Sequence, residues 1–92
     1  MPTVSTDAEI LQNIAANMTR ILKDTGKSQG DVARAIREEG EVLQAARMRV
    51  SRYSRGKVMP GAGALSRIAE ALGVTADALM AAPPKRRTRR AG

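Results

Sequence analysis

When residues 42–55 are wound at about 3.6 residues per turn, Gln44, Arg47, Met48, Ser51, Arg52 and Arg55 share one face. Val42, Ala46, Val50 and Tyr53 form a seam on the opposite side. Arginine and glutamine carry paired donors or acceptors that match guanine and adenine edges, and a methionine can touch a thymine methyl. A helix is also about as wide as the major groove. Six cations, Arg47, Arg49, Arg52, Arg55, Lys57 and Arg67, lie between Val42 and Ala69, with no anion among them. A face that merely solvates a helix normally mixes signs. The chemistry on offer is recognition of double-stranded DNA, with Gln44, Arg47, Met48, Ser51 and Arg52 as the candidate base readers.

Other chemistries are poorly equipped. The chain has no His and no Cys, which removes the commonest general base, thiolate metal sites, a Cys nucleophile and disulfides. Glu38, Glu39 and Glu41 can in principle hold a metal ion, but read more simply as solvated charges at a helix end. No catalytic residue, metal or cofactor is expected, and the chain is not expected to be an enzyme. It has no run long and apolar enough for a membrane span and no secretory signal pattern, so the expectation is a cytoplasmic, nucleoid-associated protein.

The elements that must position the basic face are short helices. Ninety-two residues support one small core, and with Tyr53 as the lone aromatic and sixteen alanines, close-packed helices are favoured over a sheet. Thr6 and Glu9 form a capping box that opens a first helix over residues 7–25, carrying the stripe Ile10, Leu11, Ile14, Met18, Ile21, Leu22 and stopped by Gly26. Ser28 caps a second, with Val32, Ala33 and Ile36 on one face and Gly40 as a terminator. The third ends at Gly56. After the turn Pro60-Gly61-Ala62-Gly63 a fourth carries Leu65, Ile68, Ala69 and Leu72 and closes at Gly73. Thr75 caps the last, which Pro83-Pro84 ends. The expected organisation is a flexible N-terminus over 1–6, an all-α five-helix domain over 7–82, and a disordered basic tail over 83–92. In that tail Lys85, Arg86, Arg87, Arg89 and Arg90 have nothing apolar to bury.

Three segments carry a family resemblance. Val50-Ser51-Arg52-Tyr53-Ser54-Arg55-Gly56-Lys57 with Pro60 resembles the end of the recognition helix in Cro and CI repressor-type helix-turn-helix proteins, whose pattern is I-S-x-x-E-x-G-x-x-x-P. Ser28-Gln29-Gly30-Asp31-Val32-Ala33 resembles that family's T-Q-x-x-L-A, and Leu65 to Val74 resembles its fourth helix. The resemblance runs from the first helix to about Met80 and implies a compact lambda-repressor-like domain. It also implies that Gln29 caps the second helix against a phosphate, that Arg47, Met48 and Arg52 face bases, and that Arg55 and Lys57 hold the backbone. Ser28 joins the phosphate set or is simply an N-cap. Arg49, at the seam edge, touches phosphate or folds back toward Glu39 or Glu41.

Two departures stand out. Fourteen steps separate Ile36 from Val50, where the family takes about seven, so either Arg37 to Glu41 lengthen the second helix or Val42 and Leu43 start the third early. Ser54 occupies the family's acidic position, so a salt bridge to the first helix is expected to be absent.

The function expected from face and resemblance together is a sequence-specific transcriptional regulator, a phage or prophage repressor of the Cro or CI type, binding its operator as a homodimer. An antitoxin that binds a toxin and regulates its own promoter is the alternative. Met48, Met59 and Met80 would serve it as outward contacts, although Met59, Leu79 and Met80 also read as core or dimer surface. A sequence-blind nucleoid protein would use the charge but not Gln44, Met48 and Ser51. The net charge of +7 is unevenly spread: residues 1–41 sum to −2, 42–69 to +6, 70–84 to −2, and the tail to +5.

Overall fold

Capping chemistry determines where the first two helices start. The Thr6 hydroxyl accepts from the Glu9 amide at 3.1 Å while the Glu9 carboxylate accepts from the Thr6 amide at 2.8 Å. Helix α1 (Asp7–Thr25) follows and runs to Gly26, whose φ of 74° turns the chain out of the helix. Ser28 and Asp31 repeat the device, with bonds of 3.2 and 2.9 Å, and open α2 (Gln29–Ile36). Helix α3 (Leu43–Ser54) begins at Val42 and α4 (Ala62–Leu72) at Gly61, both without a side-chain cap. The Thr75 hydroxyl, accepting from the Ala78 amide at 3.0 Å, starts α5 (Ala76–Met80).

This computed structural model describes residues 6–83, and within them the fold is all-α, five helices with no strand. Thr6 is the cap of α1, as its capping box with Glu9 predicts. The basic tail residues Lys85, Arg86, Arg87, Arg89 and Arg90 lie outside the described residues.

All five helices share one core. Ile14, Met18, Ile21 and Leu22 of α1 meet Val32, Ala33 and Ile36 of α2, Ala46, Val50 and Tyr53 of α3, Leu65, Ile68, Ala69 and Leu72 of α4, and Leu79 of α5. Leu79 is core and Met80 packs half-buried against it, so neither is an outward contact; Met59 is exposed.

Two expectations about the α2–α3 segment are corrected. Helix α2 ends at Ile36 rather than near Gly40, which sits at φ 82° in a tight turn closed by the Glu41 amide donating to the Glu38 carbonyl at 2.9 Å. Val42 is not in the buried seam: it precedes α3, in extended backbone, and is 66% exposed. The extra length is therefore divided between a six-residue connector, 37–42, and an early start of α3 at Leu43.

One buried polar residue closes the fold. Asn17 is 1% exposed, and its Nδ2 donates to the carbonyls of Leu79 and Ala81 at 2.7 and 2.8 Å, with the Ala78 carbonyl at 3.2 Å. Asn13 adds a bond from its Nδ2 to the Met80 carbonyl at 3.0 Å. A five-residue helix has no interior turn to satisfy its last carbonyls, so α1 does it from the side. Asn17→Leu keeps the volume but removes the donor, which strands those carbonyls in an apolar setting. The expected loss is about 2 kcal/mol in urea unfolding, and an unchanged midpoint would contradict this role.

Candidate nucleic-acid interface

The buried seam of α3 is narrow: Ala46, Val50 and Tyr53. Leu43 packs half-buried against the same core and Arg49 is turned inward, while Gln44, Arg47, Met48, Arg52 and Arg55 are exposed and Ser51 is half-buried. Gln44, Arg52 and Lys57 make no side-chain hydrogen bond among the described residues, so their donors are free to engage a partner. Arg55 folds back along its own helix, its Nη2 and Nε donating to the Ser51 hydroxyl at 2.8 and 3.3 Å. Ser51 is thus occupied as an acceptor by Arg55 rather than standing alone on the face.

The C-terminal end of α3 is built to present these groups. Gly56, at φ 70°, lets its own amide donate to the Tyr53 carbonyl and the Lys57 amide donate to the Arg52 carbonyl, at 3.1 and 2.9 Å. A side chain would be strained at that positive φ, and its Cβ would press on Gln12 Nε2 at 3.0 Å.

The N-terminus of α2 adjoins this face. The Arg47 guanidinium reaches back over the first turn of α2, its Nη2 3.9 Å from where a Cβ on Gly30 would stand. The Gln29 Nε2 donates to the Ser54 hydroxyl at 3.0 Å, and that hydroxyl donates to the Ser51 carbonyl at 3.0 Å. Free amides of a helix start, a guanidinium and a glutamine amide therefore lie side by side, an arrangement that can hold an anionic oxygen. Ser28 is fully accounted for as the cap of α2, with its amide holding the Asp31 carboxyl below its ordinary value. Ser54, in place of an acid, binds Gln29 and not α1, and no ion pair joins α1 to α3 among the described residues.

Of the two positions expected for Arg49, the structure shows the one folded back on Glu41: its guanidinium is turned inward as a fork, Nε and Nη2 donating to the two Glu41 oxygens at 2.9 and 2.8 Å. The same Nη2 donates to the Ile36 carbonyl at the end of α2 at 3.1 Å, and Nη1 to the Tyr53 hydroxyl at 3.4 Å. Glu41 is held in turn by the Glu38 amide at 3.0 Å, while Arg37 donates to its carbonyl at 2.9 Å. Only 24% of the Arg49 side chain and 19% of that of Glu41 face solvent. The Arg49 fork, then the Glu38 amide, hold the Glu41 carboxyl below its ordinary value, and Glu41 in turn keeps Arg49 more firmly protonated. With its carboxylate committed to this network, Glu41 is not free to join Glu38 and Glu39 around a metal ion.

Sequence reasoning missed two features. Neither the Asn17 clasp nor the position of Arg20, on α1 beside Ser54 and Arg55, follows from one-dimensional spacing, because both depend on which faces meet. No protein-family model matches the chain, and neither a curated protein nor a solved structure gives a significant match. Among the described residues no helix is long and apolar enough to cross a membrane.

The Glu41–Arg49 pair predicts a pH dependence. A carboxyl whose pKa is lowered on folding adds stability that is complete above the ordinary value of 4.5 and is lost as pH falls through the lowered folded-state value. Glu41→Gln keeps the shape but not the charge. It should be less stable than the parent at neutral pH and lose less on acidification to about pH 3, as read by urea titration; parallel losses in the two proteins would refute the pairing.

Proposed function

We propose that this chain is a sequence-specific double-stranded DNA-binding regulator, a phage or prophage repressor resembling the Cro and CI type, that reads the major groove with α3. The observation carrying the proposal is the outward face of α3: Gln44, Arg47, Met48 and Arg52 exposed on a 12-residue helix, with no carboxylate among them. At about 1.5 Å per residue that helix is about 18 Å long, enough to lay several side chains along a groove. Gln44 and Arg52 read base edges, and Met48 packs on a thymine methyl. Lys57 and Arg55, with Gln29 and Arg47 at the start of α2, hold phosphates on either side.

In this reading α2 and α3 are the helix-turn-helix pair, with the usual tight turn replaced by the 37–42 connector. One domain touches few base pairs, so the protein acts as a homodimer on two half-sites. The five tail cations add attraction that is blind to sequence.

An antitoxin function is the second reading, favoured by one observation: Met48, Val58 and Met59 are large apolar side chains left exposed, two of them adjacent in the α3–α4 loop. Co-purification of a small partner protein from the native host would distinguish it from the first.

Selection of bound duplexes from a random pool should return a palindromic consensus. Arg52→Ala should cost about 1–3 kcal/mol on that consensus and relax the preference at one base position. Lys57→Ala should weaken all sequences alike and lower the salt slope by about one. A pool without consensus, or equal losses for both variants on cognate and random DNA, would defeat the claim of specificity.

A further inference from the structure

Beside the C-terminal end of α3 lies an open groove of about 490 Å³ that the face of α3 does not account for. Its floor and walls are Gln12, Thr19, Arg20, Ser54 and Arg55 together with Ala15 and Ala16 of α1. All its polar lining is neutral or cationic. Ser54 is the residue that accepts from Gln29 at the start of α2, so the groove continues the same line of polar groups onto α1.

Arg20 is held there only in part. Its Nη2 donates to the Asn17 side-chain Oδ1 at 3.0 Å, and Nη1 lies 3.9 Å from the Asp24 carboxylate, too long for a hydrogen bond. The remaining donor, Nε, is buried and has no hydrogen-bond partner among the described residues. A buried N–H without an acceptor is costly to leave so. Arg55, across the groove, spends its donors only on the weak dipole of the Ser51 hydroxyl. Two guanidiniums with unspent donors, facing one slot free of carboxylates, create a positive potential that suits a singly charged tetrahedral oxyanion.

We infer that this groove is a second phosphate site, in which Arg20 of α1 and Arg55 of α3 hold a backbone phosphodiester of the DNA duplex beyond the bases read by α3. The inference rests on the DNA-binding reading and extends the contact surface to a helix that reads no bases. Arg20 contributes affinity and register, and no base preference.

The test uses the full 92-residue protein and the duplex returned by selection, with affinity measured over a series of salt concentrations. Arg20→Ala should lower the slope of log affinity against log salt by about 0.9, the value for one phosphate. It should weaken cognate and random DNA by the same factor and leave the selected consensus unchanged. Trimming the duplex from its ends until that phosphate is lost should make Arg20→Ala and the parent equal. Because Arg20 also bonds Asn17, Ala16→Glu provides a second arm: it adds a carboxylate to the groove wall without truncating Arg20, and should likewise weaken all duplexes. An unchanged slope in Arg20→Ala with unimpaired binding by Ala16→Glu would overturn the site while leaving the α3 reading intact. Competition by inorganic phosphate at millimolar levels with no effect of duplex length would show a free-anion site and overturn the assignment to DNA. A parent protein that binds no duplex would overturn both.

Discussion

A helix that keeps most of its circumference free for a partner must be held to its own domain by very little. In α3 that holding surface is Ala46, Val50 and Tyr53, and this scarcity shapes much of the rest of the molecule. Alanine at the centre lets α3 approach its neighbours closely. Tyr53, the one aromatic in the chain, is the largest side chain in this seam. A seam so thin resists sliding and rotation poorly, and even a small rotation moves every outward side chain of α3.

The Arg49 fork supplies what the seam lacks. It joins three parts of the fold: the end of α2 at the Ile36 carbonyl, the connector at Glu41, and α3, where Arg49 also reaches the Tyr53 hydroxyl. A half-buried ion pair is weak evidence of net stability, since removing two charges from water offsets most of their attraction. Its value is directional. Two parallel N–H···O bonds admit few orientations, so the pair constrains how a six-residue connector, which would otherwise tolerate many paths, delivers α3.

Much of this was legible in one dimension. Thr6-Glu9 and Ser28-Asp31 are local devices whose partners lie three residues apart, so their helices begin where the spacing predicts. Periodicity also identified the outward face of α3, because wheel position depends only on the helical repeat. The connector was not legible. A glycine in a sequence can stand for a helix end or for a tight turn, and Gly40 is the latter; Val42 continues the seam arithmetic although extended backbone at that residue turns it to solvent. Whether α2 ran on past Ile36 was decided by Glu41 finding Arg49, a contact between residues eight apart that no propensity encodes. Asn17 escaped for the same reason: on a wheel it sits beside Met18 and Ile14, and only the arrival of α5 converts it from a misplaced polar group into a clasp.

Arg49 and Arg52 show how far context outweighs residue type. They are three positions apart on one helix, carry the same fork, and differ in that Glu41 stands within reach of one and no acid within reach of the other. Of the six cations between Val42 and Ala69, the connector removes Arg49 from the outward field and neutralises it. The charge that faces a partner is thereby smaller and more sharply placed than the sequence total suggests. Had the connector lacked Glu41, the freed guanidinium would stand as an unpaired charge at the edge of this face, with no fixed direction. The acid that orients α3 therefore also sets the charge its outer surface carries, and both trace to the same pair of bonds.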